Sequence, residues 1–181
     1  MILTDREIET ALKSGQIIIS PQPNLDAALS STTLDLTLSD RFATWKSMPG
    51  TTIHPGQPGY SYINLQQMQD KVQQNSFTLK PGGFVLGWTL EEVELPFKSR
   101  IAARVEGKSS LARLGVGIHV TAPTIHSGFS GNIQLEIFNS GSNTIVLDQG
   151  MAVCQLIFEQ TYGTSNKGYG GIFAGQKSSG S

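Results

Sequence analysis

The segment Asn132-Ile133-Gln134-Leu135-Glu136-Ile137-Phe138-Asn139 places Ile133, Leu135 and Ile137 on one face of an extended chain and Gln134, Glu136 and Phe138 on the other. A period of two marks a β-strand with one face in a core. The pattern recurs on both sides of it. Downstream come Thr144–Leu147 and Ala152–Glu159, separated by the turn clusters Asn139-Ser-Gly-Ser and Asp148-Gln-Gly. Upstream lie Val116–Thr121, Ile101–Glu106 and Gly83–Thr89, then Phe77 and Leu79 flanking Thr78 before the turn Pro81-Gly82-Gly83. Leu34, Leu36 and Leu38 alternate with Asp35 and Thr37, and Gln16–Ser20 is a short apolar run ended by Pro21 and Pro23. Many short strands at regular spacing predict an all-β barrel or sandwich and argue against a βαβ array.

One helix is predicted with a clear start. Thr4-Asp5-Arg6-Glu7 has the capping-box spacing, Ile8 and Leu12 fall on one face, and Gly15 supplies the stop, so residues 5–14 read as helix. Residues 46–76 read as a long polar loop carrying a small helix around Leu65–Val72. Residues 161–181 are Gly/Ser-rich with Tyr162, Tyr169 and Phe173 but no periodicity; such a segment is a tail or an arm that orders on a ligand or a neighbour.

The 181 residues fit one compact domain, which at this size buries roughly 70% of its unfolded surface. Thirteen Lys+Arg against 14 Asp+Glu give no general pull toward nucleic acid or anionic membrane, so neither is expected as a partner. The single cysteine, Cys154, leaves no internal disulfide and no multi-Cys zinc site, and it suits a reducing cytoplasm. The H-x-E and P-C-x-x-C elements of zinc-dependent nucleobase deaminases are both missing. No apolar run approaches 18 residues, and Met1–Glu7 lacks the layout of a signal peptide.

Two segments hold chemistry. Glu106–Gly115 contains a small-residue turn with the hydroxyls of Ser109 and Ser110, flanked by Lys108 and Arg113, a combination that suits a phosphate. An ordinary helix start with a surface Arg has the same composition, and the Walker A spacing is absent. Glu136, set between Leu135 and Ile137, becomes an expensive carboxylate if its face is covered, and that environment is what a general base working near neutral pH requires. A solvent-facing strand Glu is the plainer alternative. His119 reads as a hydrogen-bonded core residue and His126, before a turn, as solvent-exposed.

Taken together, these residues resemble the dCTP deaminase family, relatives of the trimeric dUTPases. Gly107-Lys-Ser-Ser-Leu-Ala-Arg-Leu-Gly115 is similar to the family's G-R-S-S-L-A-R-L-G. His119-Val-Thr-Ala122, Ile125, Gly128-Phe-Ser-Gly131 and Leu135-Glu136 resemble its H-x-T-A…I-D-P-G-[WF]-x-G…L-E. Ser31-Thr-Thr-Leu-Asp35-Leu is similar to S-x-D-x-R-L without the Arg, and Phe173-Ala-Gly-Gln176 resembles the Y-x-G-Q of the C-terminal arm. The resemblance implies a mainly β fold, a distorted barrel or jelly roll of the dUTPase-like (β-clip) type with a short N-terminal helix. It implies one barrel domain over residues 1–160 and an arm, 161–181, closing over the active site.

The resemblance also implies a homotrimer with active sites between subunits, and a reaction: dCTP plus water gives dUTP plus ammonia without zinc, on the way to dTTP. Glu136 is then the base that activates water, with Ser109 and Arg113 orienting that water and stabilising the developing charge. Lys108 and Ser110 contact a triphosphate that carries Mg²⁺ on its own oxygens, so no protein side chain is a metal ligand. Backbone groups near Ala122 and Ile133 read the base, and Tyr169 and Gln176 come from the arm. The end product dTTP is a candidate inhibitor. Three positions depart from the pattern: His126 stands where the family often has Asp, Pro123 follows H-x-T-A, and Lys108 replaces Arg. His126 and Pro123 favour a deaminase that releases dUTP over the alternative, a dUTPase or a bifunctional enzyme forming dUMP; Lys108 rearranges the phosphate contacts.

Overall fold

The structure, a computed structural model, describes residues 1–167. Tyr169, Phe173 and Gln176 lie outside the described residues. The predicted helix forms as α1 (Asp5–Lys13) with its capping box in place: the Thr4 side chain takes the Glu7 amide and the Glu7 carboxylate takes the Thr4 amide at 3.1 Å, while the Thr4 hydroxyl also donates to that carboxylate. Ile8 and Ala11 face the core. Strand β1 (Ile18–Ser20) follows, then a single turn, α2 (Leu25–Ala28), whose cap is Asn24: its side chain accepts from the Asp26 amide at 3.2 Å.

β2 (Leu34–Trp45) runs well past the predicted Leu38. Its second half explains why the helix expected around Leu65–Val72 is mostly replaced. The helical part is short and earlier, α3 (Tyr62–Leu65) and a 3₁₀ turn over Gln66–Met68; the chain then becomes β3 (Gln69–Gln73), paired with Arg41–Trp45. The Gln-rich composition favours helix locally, but an unpaired edge on β2 offers a ladder of backbone hydrogen bonds, and tertiary pairing overrides propensity.

The remaining elements are β4 (Ser76–Leu79), β5 (Phe84–Glu94), a 3₁₀ turn (Phe97–Ser99), β6 (Ile101–Gly107), α4 (Ser109–Ala112), β7 (Val116–Gly117), β8 (Thr124–Ile125), β9 (Ser130–Asn139), β10 (Ile145–Asp148) and β11 (Ala152–Gln160). One nine-stranded sheet runs β7-β9-β5-β2-β11-β6-β8, with β1 on β5 and β3 on β2; β10 and β4 pair separately. Residues of β9 and of β6 and β8, from opposite ends of that order, line one cavity, so the sheet is curled into an incomplete barrel. Its inside is the apolar core, where Leu34, Leu36, Leu38, Val85, Leu135, Ile137, Leu156 and Phe158 are fully buried.

The strand expected over Val116–Thr121 stops at Gly117, and two close approaches account for this. Gly115 sits at φ +89° against Gly141, and a Cβ on Gly117 would stand 2.1 Å from the Phe138 ring. These glycines clamp α4 and β7 onto the end of β9, after which residues 118–123 leave the ladder and cross the open side of the barrel. No helix among the described residues is long and apolar enough to cross a membrane.

Candidate active site

The open side of the barrel holds a cavity of about 240 Å³. Val105 on β6, Thr124 and Ile125 on β8, and Ile133–Glu136 on β9 form its walls, and His119, Ala122, His126 and Phe129 complete it. It exists because the two edges of the curled sheet do not pair with each other, which leaves a gap that the 118–123 crossing only partly fills.

Glu136 pairs with Leu86 of β5 and is half-buried. Its Oε2 accepts the amide of Val120 at 3.2 Å, a bond available only because that residue has left the ladder. On the same side of the sheet Ala43, Leu86 and Trp88 form a small buried apolar cluster. Tyr62 of α3 reaches toward this region and packs edge-on against Trp45, with ring centroids 6.3 Å apart. Burial pushes the Tyr62 phenol above its ordinary value, and the charge of Glu136 pushes it the same way. The face of Glu136 is therefore partly covered, in line with the costlier of the two sequence readings, and the carboxylate keeps one edge on the cavity.

Ala122 and Ile133 also line the cavity. The amide of Ile133 donates to Thr89 Oγ1 at 2.9 Å, so this residue offers the cavity its apolar side chain and no free N–H. Ser109, Ser110 and Arg113 do not line it: all three are exposed on or beside the helical turn α4. Lys108 caps that turn, and its ammonium is ion-paired with Asp35.

Sequence reasoning passed over His119. It lines the cavity with its Nε2 3.8 Å from Glu106 Oε2, and its Nδ1 is buried with no hydrogen-bond partner among the described residues. Glu106 stands 3.8 Å from Arg104, which holds Glu159 at 2.8 Å, so a charged row runs from β11 across β6 to the cavity wall. The signal was the two-residue spacing to Thr121-Ala122, which a strand reading hides by assigning His119 to a core face. His126 is exposed, as expected, but at the cavity mouth. The described residues contain no group of three or more His, Cys, Asp or Glu side chains able to hold a metal ion.

A curled β-sheet whose open side is lined by a carboxylate, two imidazoles and apolar walls describes a small-molecule site with acid–base capability. A family model described as dCTP deaminase-like matches residues 2–161, and the chain belongs to that family. A dCTP deaminase, dUMP-forming, of Methanosphaera stadtmanae is 38% identical over 172 residues, covering 93% of this chain and 84% of the relative. A dCTP deaminase of Thermomicrobium roseum is 35% identical over 181 residues, 98% of this chain and 90% of the relative. Among solved structures, the 2'-deoxycytidine 5'-triphosphate deaminase of Agrobacterium tumefaciens aligns with a TM-score of 0.65 at 24% identity over 87% of this chain. That likeness speaks for the fold; the chain spans about half, 47%, of that protein's length.

Proposed function

We propose that this protein is a dCTP deaminase, hydrolysing dCTP to dUTP and ammonia in the cytoplasm as a step in deoxypyrimidine nucleotide metabolism. The observation that carries the reading is the placement of Glu136: the carboxylate stands half-buried at the wall of a cavity, oriented by the Val120 amide, in a chain of the dCTP deaminase-like family.

The chemistry then runs through this carboxylate. Glu136 takes a proton from water as the oxygen attacks C4 of the cytosine, and passes it to N3. The remaining hydroxyl proton moves to the 4-amino group, the C–N bond breaks, ammonia leaves and the C4 carbonyl forms. One carboxylate, alternating between base and acid, balances every proton.

Among the described residues, none that lines the cavity is Lys or Arg. A triphosphate and a developing negative charge on the pyrimidine need cations, and the ones at hand are on the exposed α4 segment. We therefore propose a homotrimer in which Ser109 and Arg113 of one copy complete the cavity of another, with Lys108 and Ser110 toward the phosphates. Magnesium would be carried on the triphosphate oxygens. Residues 161–181 would act as the arm, bringing Tyr169 and Gln176 over the nucleotide held by the domain of residues 1–160, and dTTP remains a candidate inhibitor.

A second reading has its own support. Some relatives, that of Methanosphaera stadtmanae among them, bear the name dUMP-forming. Such an enzyme must also cut dUTP, and the exposed His126 at the cavity mouth is a poor replacement for the carboxylate that would direct water at a phosphate. Incubating the pure protein with dCTP and Mg²⁺ separates the readings. Ammonia and dUTP in equal amounts are expected, pyrophosphate with dUMP would favour the second reading, and no product at all would reject both. The composite site is tested by co-expressing Glu136→Gln with Arg113→Ala, each inactive alone. Recovery of part of the activity in the mixed oligomer is expected, whereas continued inactivity would place all the groups in one copy.

A further inference from the structure

A second cavity, of about 440 Å³, lies between residues 21–28 and strands β2 and β5, and it shares no lining residue with the Glu136 cavity. We propose that it binds a monovalent organic cation, a guanidinium or alkylammonium group, on the carboxylate of Glu91.

Glu91 is 3% exposed and lines this cavity. Both of its oxygens are held by neutral donors from one residue: the Thr37 amide donates to Oε2 at 2.9 Å, and the Thr37 hydroxyl to Oε1 at 2.7 Å. Among the described residues no Lys, Arg or His makes an ion pair with it. A carboxylate has room for about four hydrogen bonds, so two positions remain for a ligand. A carboxylate this deeply buried with no cation beside it is costly, and the cost falls when a cation takes those positions.

The neighbouring charges point the same way. Asp35 also lines the cavity, but Lys108 neutralises it. Two carboxylates against one ammonium leave a single uncompensated negative charge. Cys154, on the neighbouring strand, feels it: burial raises its thiol pKa most, and the charges of Glu91 and Asp35 raise it further.

The walls decide what kind of cation fits. Pro21, Pro23, Ala27 and Leu90 present apolar surface around the acid. A hydrated divalent ion needs about six oxygens and fits poorly there. A planar, weakly hydrated guanidinium can fork onto the carboxylate and lay its face or alkyl stem on the prolines. Thr37, the residue that holds Glu91, brings it a hydroxyl and an amide and no positive charge. The cation can arrive as a free molecule or as an Arg or Lys side chain of a second copy.

The test is thermal melting of the full-length protein with methylguanidinium, agmatine or methylammonium chloride, with NaCl and MgCl₂ at matched ionic strength as controls. At about ten times the dissociation constant a saturable rise of a few degrees is expected. Glu91→Gln should abolish that rise. Thr37→Arg should melt higher than the parent without any added cation and should ignore the added ones. If a second copy supplies the cation, the parent ignores free cations, and sedimentation shows Glu91→Gln dissociating at protein concentrations where the parent does not. The proposal is overturned if NaCl or MgCl₂ alone reproduces the rise, or if Glu91→Gln still responds. It is equally overturned if free cations do nothing and Glu91→Gln keeps the parent's assembly.

Discussion

Glu136 on β9 and Glu91 on β5 are carboxylates on neighbouring strands of one sheet, yet the fold treats them differently. Glu91 is 3% exposed and gripped at both oxygens by Thr37. Glu136 is half-buried, takes one backbone amide, and keeps an edge on a cavity. Glu91 has a protein donor on each oxygen and about two bonding positions left. Glu136 has one donor among the described residues, a backbone amide, and keeps more of its lone pairs for water and substrate. Burial alone, then, does not mark a catalytic acid; how many donors its oxygens already carry matters as well.

The largest effect that would break this contrast is chemical. Glu136→Gln keeps the shape and an acceptor for the Val120 amide but cannot take a proton. Turnover of dCTP should fall on the order of 10³-fold while the melting temperature stays within a degree or two of the parent. Near-normal ammonia release would remove Glu136 from the base role. The mirror experiment is Glu91→Ala, which strands the amide and hydroxyl of Thr37. A loss of about 1–3 kcal/mol in urea unfolding is expected; an unchanged midpoint would mean that Thr37 finds water instead.

A smaller effect concerns Cys154, buried between β2 and β6 beside Glu91. Its thiol is held neutral because its pKa is raised, by burial first and by Glu91 and Asp35 next. For an acid with a raised folded pKa, the stabilisation is whole below the unfolded thiol value and is lost as pH climbs past it, because only the unfolded chain then ionises. Iodoacetamide labelling at pH 9 should therefore follow global unfolding in urea, and fast labelling of the native protein would show that the strands around Cys154 open locally.

The smallest effect lies at the N-terminus, far from both acids. The hydroxyl and amide of Thr4 hold the exposed Glu7 carboxyl below its ordinary value. A lowered folded pKa means that this capping contribution is present above the unfolded value and is lost as pH falls through the folded one. Thr4→Ala should lower the melting temperature slightly at neutral pH and by less in strong acid, where the Glu7 charge is gone and only the acceptor for the Glu7 amide is lost.

How far the chain could be read without coordinates depended on the range of the interactions. The Thr4-to-Glu7 spacing, the alternation in Asn132–Asn139 and the turn at Pro81-Gly82-Gly83 act between near neighbours, so they fixed α1 and marked where most strands lie. The identity of Glu136 as the carboxylate to watch came the same way, from its two apolar neighbours and the L-E resemblance. Other features depended on partners distant along the chain. The Gln-rich stretch after Leu65 became β3 because Arg41–Trp45 offered it an edge. Val116–Thr121 ended early because Gly115 and Gly117 let α4 pack against residues 138–141.

The same division holds for the site. The apolar neighbours of Glu136 marked it, the family resemblance named Ala122 and Ile133, and the structure puts all three in the lining of one cavity, which Ser109 and Arg113 of the same copy do not line. The alternation of residue types could not show that shared lining. Nor could it promote His119, whose position in a strand pattern reads as core until the barrel is seen to be open there. Local periodicity determines which way a side chain points along its own strand. Only the curl of the whole sheet, a sum of pairings across more than a hundred residues, decides which edges meet and leave room for a ligand.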